Sequence, residues 1–215
     1  MKTLIILLLV ALTTTALQAQ SAQYQQAMAD AIGTMKTQSE KTPTADILSV
    51  ANQFERIASA EPNEWLPRYY AGLSYVFLGF MGKDATEKDK YLDNADRYLK
   101  EAQAINTNDE LIVLAAYIAQ ARMTVDPMNR WQQYGPIFQT NIDKAKSMNP
   151  GNPRPYILEG TGLLYTPEQF GGGPATACPV LKQAAERFTT FKPVSDLHPN
   201  WGRQNMEQLL AKCSK

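Results

Sequence analysis

VANQFERIASAEP (50–62), ADRYLKEAQAINT (95–107) and FQTNIDKAKSMNP (138–150) are three renderings of one pattern. The marker residues are Val50, Phe54, Ile57 and Pro62, then Ala95, Leu99, Ala102 and Thr107, then Phe138, Ile142, Ala145 and Pro150. Steps of four and three residues between small or apolar positions place them on one face of a helix, and the Pro or turn residue then ends it. The copies end at 62, 107 and 150, so the period is 45 and then 43 residues. Self-similarity at that period predicts stacked helical hairpins, each burying a face on its neighbour. Such stacks generally offer surfaces for binding rather than sites for chemistry.

The rest of the chain agrees with these copies. A weak apolar stripe through Met28, Ile32 and Met35 predicts a helix over 23–38. Further helices are expected over 45–60, 65–80, 90–105, 110–123, 127–148, 154–164, 175–191 and 201–213, with Asn200 as the cap of the last. Asp126-Pro127 reads as an N-cap followed by Pro at the first helical position. No run of alternating β-branched residues occurs, which argues against a sheet. The expected architecture is all-α, an α-solenoid of stacked antiparallel helical hairpins.

The repeats resemble tetratricopeptide (TPR) units. That family carries Ala, Phe and Ala signals on its second helix, matched by the three copies above and by Ala177, Leu181 and Ala184. Its first-helix Gly-x-x-Tyr step resembles Gly72 with Tyr75 and, more loosely, Gly160 with Leu163. Tyr117 falls where the middle copy should have Gly, and Arg68, Val113 and Tyr156 stand at the family's Trp position. The usual period is about 34 residues. The excess predicts long loops inside each repeat, around 79–88, 124–131 and 165–173. Residues 165–173 and 197–202 are similar to segments of exported repeat proteins of the Bacteroidetes type, which implies a lineage and adds no activity.

Residues 1–19 read as a secretory signal peptide. Lys2 supplies its charge, Leu4 to Leu12 its apolar run, and Ala19 a small residue for cleavage. That run is shorter than the roughly 20 apolar residues that span a bilayer, and no later segment reaches that length. No lipobox Cys follows the run. The expected product is exported and periplasmic, one TPR-like domain over 20–215 with no membrane span. Lys+Arg and Asp+Glu both number 21. A chain without a basic excess is a poor match for nucleic acid.

Little in the sequence suggests catalysis. His198 is the single histidine, too few for an ordinary zinc cluster, and it reads as a turn residue beside Pro199. Gly171, Gly172 and Gly173 precede a helix start without the Lys-Ser/Thr of a phosphate loop. They are expected to turn an inserted loop that Phe170 pins by packing inward. Cys178 and Cys213 sit near adjoining ends of an antiparallel helix pair, which makes a disulfide possible in an oxidising compartment, the alternative being two buried thiols. No catalytic residue, metal or cofactor is expected.

A TPR-like register places Leu66, Tyr69, Leu73 and Phe77 on the concave face, followed by Leu114, Ile118 and Arg122, then Arg154 and Tyr165. An apolar face of this extent is either covered by the chain itself or marks a binding site. If open, it predicts a module that lays a partner helix or peptide along the groove, with Arg122 and Arg154 orienting an acidic group. The alternative is a soluble carrier of a small apolar ligand.

Overall fold

The computed structural model describes residues 22–39 and 41–213, so the expected leader lies outside the described residues. The helices among them are α1 (22–36), α2 (Thr44–Ala60), α3 (Trp65–Met81), α4 (Ala85–Ile105) and α5 (Asp109–Val125). Then come α6 (Pro127–Met148), α7 (Arg154–Tyr165), a 3-10 turn (Glu168–Phe170), α8 (Pro174–Thr190) and α9 (Arg203–Lys212). No strand occurs among the described residues, and none of these helices is long and apolar enough to cross a membrane.

Helix caps correct the expected loops. Asp84 accepts from the Glu87 N–H at 2.9 Å, and Glu87 accepts in turn from the Lys83 N–H at 2.7 Å. This reciprocal arrangement starts α4 five residues earlier than its apolar stripe suggests. Asp126 caps α6 by accepting from the Asn129 N–H, and Pro127 fills the first position, where no N–H is required. Only residues 82–84 separate α3 from α4, and only Asp126 separates α5 from α6. The residues beyond the usual TPR length therefore extend α4 and α6 instead of forming loops. The long loop survives once, between α7 and α8. At the other end of the chain Gly202, not Asn200, precedes α9, and Trp201 lies outside the helix.

Short turns make successive helices antiparallel neighbours. Each helix from α2 to α9 packs on the next, and α3, α5 and α7 also touch one another to form an inner row. Small residues bring helices close at regular intervals. A Cβ on Gly72 would lie 3.1 Å from Leu114, and one on Gly160 would lie 2.6 Å from Leu181. In the middle unit the small residue is the fully buried Ala116, clustered with Phe138, Ile142 and Ala145. Tyr117, one position away, is half-buried and packs against the edge of the same cluster.

Beyond α8 the chain turns back across the inner row. Leu197 is buried in the main core beside Leu66, Tyr69 and Tyr70. The Tyr70 hydroxyl donates to the Leu197 carbonyl at 3.0 Å, and Trp201 Nε1 donates to the Tyr69 hydroxyl at 2.8 Å. His198 packs edge-on against Trp65, with ring centres 5.7 Å apart. Cys178 and Cys213 form a disulfide with Cα atoms 5.8 Å apart, tying the end of α9 to the start of α8. Closing a 35-residue loop limits the unfolded chain by up to about 4 kcal/mol on the chain-entropy account.

Candidate functional site

The inner row of helices has two unlike halves. Leu66, Tyr69, Leu73, Leu114 and Ile118 are core residues, and toward the start of α3 the segment 191–202 lies over Trp65, Tyr69 and Tyr70. Tyr69 has no solvent exposure. An open groove along the whole face is not formed, so these candidates act in packing.

The two arginines are likewise committed. Arg154 is fully buried, and its Nε donates to Glu110 Oε2 at 2.8 Å while Nη2 donates to Oε1. Asn152 donates to the same Glu110 carboxylate, at 2.9 Å. Arg154 Nη1 has no hydrogen-bond partner, and the guanidinium lies 4.6 Å from the Phe191 ring, where a cation–π contact offsets part of that loss. Arg122 Nη2 donates to Asp93 at 2.6 Å and to Asp96 at 2.7 Å, and Nη1 donates to Asp89 at 3.0 Å. Neither arginine is offered to a ligand.

Toward the other end the row opens. Phe77, Phe80 and Tyr117 are half-buried and touch in one cluster, with ring centres 6.2 Å apart for Phe77–Tyr117 and 5.5 Å for Phe80–Tyr117. The Trp201 ring stacks on Tyr117 at 5.7 Å and marks where the covering segment stops. Met81 and Val125 flank the cluster, both half-buried. Burial pushes the Tyr117 hydroxyl up to about 12, so it remains protonated.

Because the helices alternate in direction, this end also carries the α5–α6 turn, the start of α6 and the α7–α8 loop. Four large apolar side chains are exposed there: Met128, Trp131, Tyr165 and Phe170. Tyr165 is 65% exposed and Phe170 73%. Phe170 therefore points outward, contrary to the expected inward pin. The loop is instead held by its backbone, since Gly173 N–H donates to the Leu163 carbonyl at 2.9 Å. Gly171 and Gly173 have φ of 84° and 87°, and a Cβ on Gly172 would lie 2.1 Å from the Thr166 carbonyl oxygen. The glycines serve a tight turn.

Lys212 Nζ donates to the Tyr165 hydroxyl at 2.6 Å at this same end. His198 is far away, packed on Trp65. From Trp65 to Phe77 the helix rises roughly 18 Å. Its Nδ1 is 2.7 Å from Ser195 Oγ, and burial lowers its pKa, which favours the neutral ring. Two surface clefts, one bordered by Asn52, Glu55 and Tyr98 and one by Thr34, Thr37 and Asp46, are polar and lie on α1, α2 and α4. No cluster of metal-ligating side chains occurs among the described residues.

Sequence reasoning omitted Phe80, Trp131 and Trp201 from the face. Phe80 was visible as part of the aromatic run in α3. Trp201 was not, because its position depends on a chain reversal that no local pattern encodes. The spacing of Asp89, Asp93 and Asp96 does place three carboxylates on one face of α4, and this is the signal for the Arg122 site.

The fold and its open aromatic end define an all-helical protein with one apolar face only partly covered. A solved structure shares this architecture: the HusA haemophore from Porphyromonas gingivalis. It is 30% identical to this chain with a TM-score of 0.78, over 88% of this chain and 92% of that one. At that identity and coverage the chain belongs to the HusA haemophore family. No protein-family model and no curated protein matches it.

Proposed function

We propose that this protein is an exported carrier of haem or a closely related porphyrin, which it holds at the open end of its concave face. The observation that carries the reading is the half-buried cluster Phe77, Phe80, Tyr117 and Trp201, in a chain of the haemophore's family. A flat, wide, apolar macrocycle matches such a shelf. Each ring contact contributes about 0.5–1.5 kcal/mol beyond the area it buries. The exposed Trp131, near the start of α6, and Phe170, in the α7–α8 loop, stand at the same end of the molecule as the shelf.

Export is the reading of the leader-like residues 1–19, and the family of the neighbouring structure supports it. The stacked hairpins are read as degenerate TPR-like units that serve as a rigid holder. A role as a scaffold for a partner helix has less support, because the chain's own segment 191–202 occupies half of the face such a helix would need.

Titration with haemin tests the proposal. The Soret band is expected to shift and tryptophan fluorescence to fall with a one-to-one end point. Phe80→Ala should weaken binding about tenfold, equivalent to the loss of one good aromatic contact and its buried area. A wild-type protein that leaves the Soret band of haemin unchanged overturns the reading.

A further inference from the structure

We infer that Lys212 and Tyr165 form a carboxylate anchor at the same end of the molecule as the aromatic shelf, so that the ligand is an amphiphilic acid rather than a purely apolar molecule. The inference rests on the carrier reading and adds the polar half of its ligand. Lys212 Nζ lies 4.9 Å from the centre of the Tyr165 ring and 2.6 Å from its hydroxyl. The pair thus displays an apolar ring, a phenol and an ammonium side by side. Both residues are exposed, so an incoming group can reach them.

Among the cations at this end, Lys83 and Lys88 also have no described acidic partner, and Lys212 is set apart by standing over an exposed aromatic ring. Arg122 and Arg130 point from the same end of the molecule but are neutralised: Arg122 by Asp89, Asp93 and Asp96, and Arg130 by Asp89 through bonds of 2.6 and 2.7 Å. The described partner of Lys212 is a neutral phenol. An ammonium held by a phenol keeps its full charge for a carboxylate, and an ion-paired hydrogen bond between two ionised groups is stronger than one to a neutral oxygen.

Position is fixed as well. Lys212 ends α9, directly before Cys213, whose disulfide to Cys178 ties that helix end to the start of α8. Met206 and Leu209 pack the same helix against Ile157 and Phe188. The backbone that carries Lys212 is therefore held in place, and its side chain is steadied by the Tyr165 hydroxyl and ring. Porphyrins with propionate arms match such an arrangement, the ring on the aromatic shelf and one arm on Lys212.

The test compares iron-free protoporphyrin IX with its dimethyl ester, read by tryptophan quenching in the wild type and in Lys212→Met. The wild type should bind the free acid more tightly than the ester. Lys212→Met should weaken the free acid about threefold to fivefold, as expected for a partly exposed charge pair, and leave the ester unchanged. Added salt should reduce the wild-type preference and have no effect on that of the variant. Tyr165→Phe, which keeps the ring and removes the hydroxyl, should give a smaller loss in the same direction. Equal binding of the acid by wild type and Lys212→Met overturns the anchor while the carrier reading stands. Failure of the wild type to bind either porphyrin overturns both.

Discussion

The two halves of the inner helix row are built from the same helices and the same apolar spacing, yet one is core and the other is surface. At the start of α3, Leu66, Tyr69 and Tyr70 are sealed by Leu197 and Trp201. Three turns further along, Phe77 and Phe80 lie half in the open, each in ring contact with Tyr117. The helix itself does not distinguish them. A twelve-residue segment from a distant part of the chain decides which half is buried, and it stops at Trp201. Apolar residues on a helical face indicate that something covers them; they do not indicate what or how far.

The sharpest way to break this comparison is to truncate one aromatic residue in each half. Tyr69→Ala should cost about 3–5 kcal/mol in urea unfolding, because it removes a fully buried ring and leaves Trp201 Nε1 without its acceptor. Phe80→Ala should cost roughly half as much or less, since its ring is already partly hydrated. Equal losses at the two sites would contradict the division.

A second experiment acts on the covering segment. Gly202 has φ of 107°, and a Cβ there would lie 2.6 Å from Ile157 Cδ1. Gly202→Ala should cost about 1–3 kcal/mol and displace Trp201 from Tyr117. Near-ultraviolet circular dichroism in the tryptophan region reports the displacement, and an unchanged spectrum with unchanged stability would contradict the role of this turn.

The smallest expected effect is electrostatic. A hydrogen bond from Arg130, and then the charge of Arg130 and Arg122, hold the Asp89 carboxyl below its ordinary range. A carboxyl with a depressed folded pKa stabilises the protein above its unfolded pKa of about 3.9, and that contribution disappears as pH falls through the lower folded value. For a pair this close to solvent the contribution is under about 1 kcal/mol. Asp89→Asn should remove it at pH 7 and leave the acid side of the stability profile flatter. A variant with the wild-type profile between pH 5 and 2 would rule out this contribution.

Helix content and order were legible in the sequence because they follow from local spacing. Phe54, Leu99, Ile142 and Leu181 lie buried on their helices, as the repeat implies. The loops were less legible, because period was read as loop length, whereas Asp84 and Asp126 show that two acidic caps turn the same residues into helix. The middle small residue was read at Tyr117 and stands at Ala116, a one-residue shift that a degenerate repeat does not resolve. The candidate face is rich in apolar residues, but its division was not legible. It depends on bonds such as Tyr70 to Leu197, which join residues 127 positions apart. Arg122 and Arg154 were read as rim cations because their partners, three aspartates on α4 and Glu110 on α5, are brought to them only by packing.

The Cys178–Cys213 bond encloses α8, the covering segment and α9 in one covalent ring. Val194, Ser195 and Asp196 are exposed on that segment, which makes it a site open to proteolytic nicking. A cut there leaves α9 fastened to α8, so the severed piece cannot diffuse away and its Met206 and Leu209 remain seated beside Ile157 and Phe188. A nicked molecule would run as one band without reductant and as two with it. The bond therefore contributes to durability as well as to equilibrium stability: the molecule can be cut at an exposed loop and stay in one piece.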